Sequence, residues 1–154
     1  MGLDITAYKN IRKVDIPEGN EGEYHFGNTG FPQSNMTDFE NEEIQIVFDE
    51  DFSFRAGAYS SYNRFRNELC LAANGIKDET LWASKDENLK FYWLINFSDC
   101  DGYIGTSYCK ILYDEFCKYE EDIKSKLDEC YHLNYNNFKK AFKLGSNNGL
   151  VDFH

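Results

Sequence analysis

The sequence has little basic charge for its length. Its 154 residues include 16 Lys and Arg against 27 Asp and Glu, which gives a formal net charge of −11 at pH 7. A surface of this average sign repels phosphate backbones and gains nothing from counterion release. The composition therefore argues against broad DNA or RNA binding. The acidic surface suits a basic protein partner, or it serves solubility alone.

The sequence also lacks the segments that mark secretion, membranes and structural metals. No basic stretch leads into an apolar run near Met1, so no secretory signal is predicted, and no segment is long enough to span a bilayer. The five cysteines are odd in number and form no CxxC pair, which argues against a disulfide framework and a zinc site. We expect a cytoplasmic protein with no membrane contact, no metal and no cofactor.

Aromatic residues are abundant, and they require a packed core. The chain has 13 Phe, 11 Tyr and 2 Trp, and 42% of its residues are hydrophobic. A disordered chain is poor in such residues, and a length near 150 is typical of one domain. We predict a single globular domain over residues 1–154, with no internal repeat.

Two-residue alternation and short apolar runs predict the strands. The nearly continuous apolar run at 91–97 is typical of a central strand covered on both faces, and the tail at 150–154 is expected to return as an edge strand. The other predicted strands are residues 3–8, 10–14 as an extension or partner, 23–26, 44–48 and 52–56, the last two joined by an acidic turn at 49–51.

Helical spacing predicts about three helices. The first covers 62–72, with Ser60 or Ser61 as its N-cap and Gly75 as its end. A long amphipathic helix is expected over 108–127 and a third over 136–144. Long polar loops are expected at about 27–43 and 77–90. The fold class predicted is α+β, a mostly antiparallel sheet with these helices packed on it.

Four sequence blocks together resemble a known family. They are MGLDITAY at 1–8, FRAGAYSSYNRFR at 54–66, NFSDCDGYIG at 96–105 and NGLVDFH at 148–154. As a set they resemble an uncharacterised family of small phage, prophage and bacterial proteins, and the resemblance covers most of the chain outside the two long loops. It implies a mobile-element gene, with a counter-defence role as one expectation, and it implies no mechanism.

One segment has the features of an anion site. From Arg55 the chain runs through a turn at Gly57 into a helix start, where N–H groups and the positive helix end hold anions. If the turn at 98–102 shares this rim, a ligand would bind between the two turns. Alternatively, Gly57 serves only the turn, Ser60 caps the helix and Arg55 pairs with a carboxylate. The predicted ligand-binding residues are Arg55, Tyr59, Ser60, Tyr62, Arg66, Asp99 and Asp101.

Catalytic and metal patterns are incomplete. Residues 99–102 resemble the first half of a calcium loop without its remaining ligands. Cys100 lies between Asp99 and Asp101, whose charges disfavour a thiolate nucleophile. The histidines His25, His132 and His154 have no motif spacing to a Ser or Cys. No catalytic residue is predicted.

Three functions remain open from the sequence, and binding is favoured over catalysis. The first is a phage-type accessory protein that binds and sequesters a small anionic ligand, such as a nucleotide-derived signal. The second is an acidic inhibitor that binds a basic host protein. The third is a small hydrolase. The oligomeric state is not predicted.

Overall fold

The computed structural model of the chain describes residues 1–14, 23–25 and 43–154, and in these ranges it is an α+β protein. The strands are β1 (Gly2–Lys9), β2 (Arg12–Val14), β3 (Glu23–His25), β4 (Glu43–Val47), β5 (Glu50–Ala58), β6 (Gly102–Gly105) and β7 (Leu150–Phe153). The helices are α1 (Tyr59–Asn74), α2 (Asp78–Ser84), α3 (Tyr92–Ile95), α4 (Thr106–Lys118), α5 (Glu120–Lys126) and α6 (His132–Gly145). The predicted fold class is therefore confirmed.

The described strands form two antiparallel sheets. The larger has the order β5-β1-β7-β6, and the smaller has the order β2-β4-β3. In the larger sheet Thr6 lies opposite Ser53 on one side and Asp152 on the other. Strands predicted at 44–48 and 52–56 are adjacent in sequence, yet they belong to different sheets.

The core lies between the larger sheet and the helices. Leu3 and Ile5 of β1 are fully buried there, and helix α6 contributes Phe138, whose ring stacks on that of Phe65 at 5.7 Å. The opposite sheet face is partly covered by a second cluster, in which Ile46 of β4 joins residues of the larger sheet. That cluster comprises Tyr8, Ile11, Ile46, Tyr103 and Leu150.

The first predicted helix is confirmed, but its predicted N-cap is wrong. Helix α1 begins at Tyr59 after Ala58, with no side-chain capping bond, so Ser60 and Ser61 lie in its first turn. Its end is as predicted, because Gly75 adopts a left-handed φ of 69° and donates its N–H to the carbonyl of Leu71.

The predicted central strand at 91–97 is wrong, since this segment forms the short helix α3 with turns around it. Phe91, Leu94 and Ile95 are fully buried, and their spacing of three and four residues is helical. A short apolar run does not by itself distinguish a buried strand from a buried helix.

The C-terminal segment forms a strand, but not at an edge. Strand β7 lies between β1 and β6, and β6, which was not predicted, takes the edge. Leu150, Val151 and Phe153 are almost completely buried, as expected for an interior strand.

The described residues contain six α-helices, more than the three predicted. The predicted helix at 108–127 is two helices, α4 and α5, divided at Tyr119. Acidic residues in the first turn of α5 favour a new helix start there. The predicted loop at 77–90 contains α2, whereas 27–42 of the other predicted loop lies outside the described residues.

No helix of the described residues is long and apolar enough to cross a membrane.

Candidate functional site

Helix α1, which follows the first turn of the predicted rim, contacts the segment that contains the second turn. The side-chain amide of Asn63, on α1, donates to the carboxylate of Asp99 at 2.7 Å. The guanidinium of Arg66 donates to the backbone carbonyls of Ile95 and Phe97 at 3.1 and 2.5 Å. The first turns of α1 therefore lie against the segment that leads into the turn at 98–102.

Arg66 and Tyr62 lie inside the protein at this contact. Arg66 is 4% exposed and also donates to the Asn63 side chain, while its guanidinium lies 4.9 Å from the centre of the Tyr62 ring. Tyr62 is fully buried, and burial raises the pKa of its hydroxyl. Within the described part of the chain, the Tyr62 hydroxyl and the Arg66 Nε have no hydrogen-bond partner. Arg66 thus joins α1 to the α3 segment.

Arg55 lies on the surface and pairs with Asp4. Its NH1 lies 3.1 Å from the Asp4 carboxylate, which faces it in the register of β1 and β5. This is the pairing that the alternative interpretation expected. In the described ranges, no hydrogen bond or ion pair joins Arg55 to Asp99 or Asp101.

The other predicted ligand-binding residues lie in the first turn of α1 and in the turn at 98–102. Tyr59 is half-buried and Ser60 exposed in the first turn of α1, and Asp101 accepts from the Ser98 hydroxyl at 3.3 Å. The structure therefore brings Tyr62, Arg66 and Asp99 together and places Arg55 in a separate ion pair. Ligand binding by the seven residues stays a prediction.

A second location, which the sequence reasoning missed, has a cavity of about 590 Å³. It is bordered by α6, by the adjoining ends of β1 and β5, and by α4 and α5. Four lysines line this cavity, which we call the lysine groove: Lys9, Lys139, Lys140 and Lys143.

The periodicity of α6 builds one wall of the groove. Tyr135, Phe138 and Phe142 are buried on the core side of this helix. A helix with apolar residues at this spacing presents its polar residues on the opposite side. Lys140 and Lys143 are exposed there, and they line the groove together with Asn136 and Asn147.

Two carboxylates also line the groove, and one of them is already shared between lysines. Glu120 accepts from Lys124 and Lys139, each at 2.8 Å. These hydrogen bonds lower the pKa of Glu120, and the bond to Glu120 raises the pKa of Lys139. The other carboxylate belongs to Glu50, which lies opposite Lys9 in the strand register.

Lys140 and Lys143 have no ion-pair partner among the residues that the structure describes. The Lys140 ammonium lies 4.1 Å from the centre of the Phe52 ring, a cation–π contact that fixes its position without neutralising it. Neither ammonium group is therefore neutralised by a described carboxylate, in a molecule that is acidic overall.

The sequence contained part of the evidence for the lysine groove. Lys139, Lys140 and Lys143 sit between the apolar residues of the predicted third helix, so an exposed basic stripe could have been inferred. Lys9 could not have been assigned to the groove, because it comes from the other end of the chain and only the sheet register brings it there.

A polar cluster occupies the second face of the larger sheet. The Thr6 hydroxyl is 3.0 Å from both the Ser53 hydroxyl and the His154 Nε2. Asp152 is the cross-strand neighbour of Thr6, and burial raises its pKa to about 6. Among the described residues no hydrogen bond joins Asp152 to His154, so these groups do not form an assembled Ser-His-Asp relay.

The described residues contain no group of three or more His, Cys, Asp or Glu side chains that could hold a metal ion.

No protein-family model matches the chain, and comparisons with curated proteins and with solved structures find no significant match. The resemblance to a phage and prophage family therefore stays a prediction.

Proposed function

We propose that this protein binds and sequesters a small anionic ligand, and that the lysine groove is its site. The observation that carries the proposal is a pair of ammonium groups, those of Lys140 and Lys143, which no described carboxylate neutralises and which lie beside a cavity of about 590 Å³. In a chain with a net charge of −11, such a concentration of cations is a local exception.

Screening explains how an acidic protein can attract an anion at one place. At physiological ionic strength the Debye length is about 8 Å, so distant carboxylates are largely screened from a ligand in the groove. The four lysines lining the groove exceed its two carboxylates. Among the described residues, the charges that line the groove therefore sum to +2.

The size and chemistry of the groove indicate the class of ligand. Its volume lies within the roughly 300–1,000 Å³ of small-molecule pockets, which suits a nucleotide better than a lone phosphate ion. Lysines bind phosphate as point charges and lack the planar fork of arginine. We therefore expect a ligand with at least two negative charges, recognised by charge more than by geometry.

A nucleotide-derived signal meets these requirements. Its sequestration would suit the counter-defence role that the resemblance implies, and both remain part of the proposal. The acidic inhibitor of a basic host protein is the competing function, and it requires no occupant of the groove.

The proposal is tested by thermal shift and calorimetry with inorganic phosphate and with mono-, di- and cyclic nucleotides. A ligand at 100 times its Kd stabilises the native state by about 2.7 kcal/mol. For a domain of this size, that raises the Tm by about 5–10 °C. We expect the response to increase with ligand charge.

Charge-matched variants locate the site. Lys143→Glu is expected to weaken binding at least tenfold, because it replaces an attractive charge with a repulsive one. Lys77→Glu makes the same charge change at an exposed residue before α2, a helix that contributes no residue to the groove. Arg55→Ala tests the predicted rim separately. Equal losses in both lysine variants, or a loss only in Arg55→Ala, would remove the groove from the proposal. No response to any nucleotide, together with salt-sensitive capture of one basic protein, would favour the inhibitor.

A further inference from the structure

Strand β5 is a long edge strand. It has nine residues, it pairs on one side with β1, and no described strand pairs with its other side. The edge at the opposite end of the sheet, β6, has only four residues. Long edge strands expose a row of unpaired N–H and C=O groups, and they are the usual place where a sheet accepts another chain.

The charge pattern of β5 is complementary to that of a second, antiparallel copy of the same strand. The segment Asp51-Phe52-Ser53-Phe54-Arg55 has an acid at one end and a base at the other, with Ser53 at its centre. If a second copy runs antiparallel with Ser53 opposite Ser53, then Asp51 faces Arg55 of the copy. Phe52 likewise faces Phe54. Opposite charges and aromatic pairs directly across strands both stabilise a sheet.

This register is favoured over its neighbours. Centring the pair on Phe54 would place Asp51 opposite Gly57 and Arg55 opposite Ser53, and would lose both ionic contacts. Centring it on Phe52 would place Asp51 opposite Ser53 and Arg55 opposite Asp49, which lies outside β5 and is already paired with Arg12 at 3.0 Å. A shift of two residues therefore removes the charge matching within β5, so the pairing is defined by the sequence of the strand as well as by its free edge.

The required side chains are accessible. Asp51 and Ser53 are exposed, and the Arg55 side chain remains 57% exposed although its NH1 contacts Asp4. On the other face Phe52 and Phe54 are half-buried, with stacked rings 5.6 Å apart. Pairing with a copy would cover the remaining surface of these rings. The register of β5 on β1 is regular from Glu50 to Arg55, and its irregularity begins beyond that segment.

We propose that two copies of the chain associate through antiparallel pairing of β5 about Ser53. The two four-stranded sheets then join edge to edge into one sheet of eight strands with a two-fold axis at Ser53. Such an interface is isologous, the arrangement found in most soluble homodimers.

Analytical ultracentrifugation of charge-swap variants tests the pairing of β5 with its copy. The unmodified protein is expected to sediment as a dimer. Asp51→Arg places two arginines opposite each other, and Arg55→Asp places two aspartates opposite each other, so each single variant is expected to be monomeric. The double variant D51R/R55D restores opposite charges across the axis and is expected to recover the dimer.

Controls of equal charge change are available elsewhere on the surface. Asp114→Arg on α4 and Arg64→Asp on α1 replace exposed residues outside β5, and they are expected to leave the dimer intact. Circular dichroism establishes that each variant is folded. A monomeric unmodified protein, or folded single variants that remain dimers, would overturn the proposal.

Cross-linking tests the register itself. Directly opposed residues in an antiparallel pair have Cα atoms about 4.5–5.5 Å apart, within the range that a disulfide spans. Under mild oxidation Ser53→Cys should therefore form a disulfide that joins position 53 of the two copies, identified by peptide mass spectrometry. Asp51→Cys should not, because residue 51 and its copy would lie about 13 Å apart along the strands. A dimer of the Ser53→Cys variant without this disulfide would contradict the register.

Discussion

Arg66, one of the predicted ligand-binding residues, lies inside the protein and holds α1 against the α3 segment. It follows Tyr62 by four residues on α1, so the same periodicity that buries Tyr62 directs Arg66 inward. Its guanidinium then satisfies carbonyls of Ile95 and Phe97 that the short helix α3 leaves free. The four-residue spacing of Tyr62 and Arg66 on a predicted helix was a sequence signal that both side chains are buried. This signal was missed because Arg and Tyr are residue types that often bind ligands.

Asp152 provides a test at the residue scale. Burial raises its pKa from 3.8 to about 6, so the folded state binds the proton more tightly than the unfolded state. Its ionisation therefore costs stability as the pH rises from about 4 to 6, and the full cost is present above pH 6. We expect Asp152→Asn to stabilise the protein at pH 8 by on the order of 2–3 kcal/mol and to have little effect at pH 3.

Urea denaturation of both proteins at several pH values measures this difference, and other titrating groups cancel in the comparison. Asp114→Asn, which removes one carboxylate at an exposed position on α4, is the control for the loss of one negative charge. A stabilisation by Asp152→Asn that is equal at pH 3 and pH 8 would show that desolvation of the carboxylate is not its cause.

At the scale of elements, the position of β7 depends on a close backbone approach. A Cβ atom on Gly149 would lie 1.7 Å from the backbone carbonyl oxygen of Tyr8. Only glycine fits there, because neither backbone can move without disturbing the pairing of β7 with β1.

We therefore expect Gly149→Ala to destabilise the protein by about 3 kcal/mol or more, the upper range for an overpacked interior position. Chemical denaturation measures the loss. Gly75→Ala is the comparison, since nothing lies within 4 Å of its Cβ and only its φ of 69° is unfavourable. Its cost should be nearer 1 kcal/mol. Equal costs would mean that the approach of β7 to β1 is not tight.

The elements also show which sequence patterns were sufficient. Helix α1 was predicted because its apolar period, its length and Gly75 agree, and β1 because its alternation lies in an uninterrupted segment. The run at 91–97 was assigned wrongly because hydrophobicity alone has no period. The division of one predicted helix at Tyr119 and the presence of α2 within a predicted loop were not predicted. Both depend on packing and on charges at helix ends.

At the scale of the whole molecule, charge is distributed unevenly. The net charge of −11 produces self-repulsion that salt relieves, while the lysine groove is the proposed site for multivalent anions. We expect the Tm to rise with sodium chloride, and to rise further with sodium phosphate at equal ionic strength.

Thermal melts of the unmodified protein and of Lys143→Glu separate the two effects. Chloride should stabilise both proteins, because screening is general. The additional effect of phosphate should be smaller in the variant. If phosphate stabilised Lys143→Glu as strongly as the unmodified protein, its effect would be general exclusion from the surface and not occupation of the groove.

The sequence by itself determined the α+β class, helices α1 and α6, the acidic composition and the self-complementary charges of β5. Each of these follows from periodicity or composition within a short stretch of chain. Only the tertiary structure decided that Lys9 joins the lysines of α6, that Arg55 pairs with Asp4, and that β7 lies inside the sheet. These depend on strand register between distant segments, where a shift of one residue would turn every side chain to the other face.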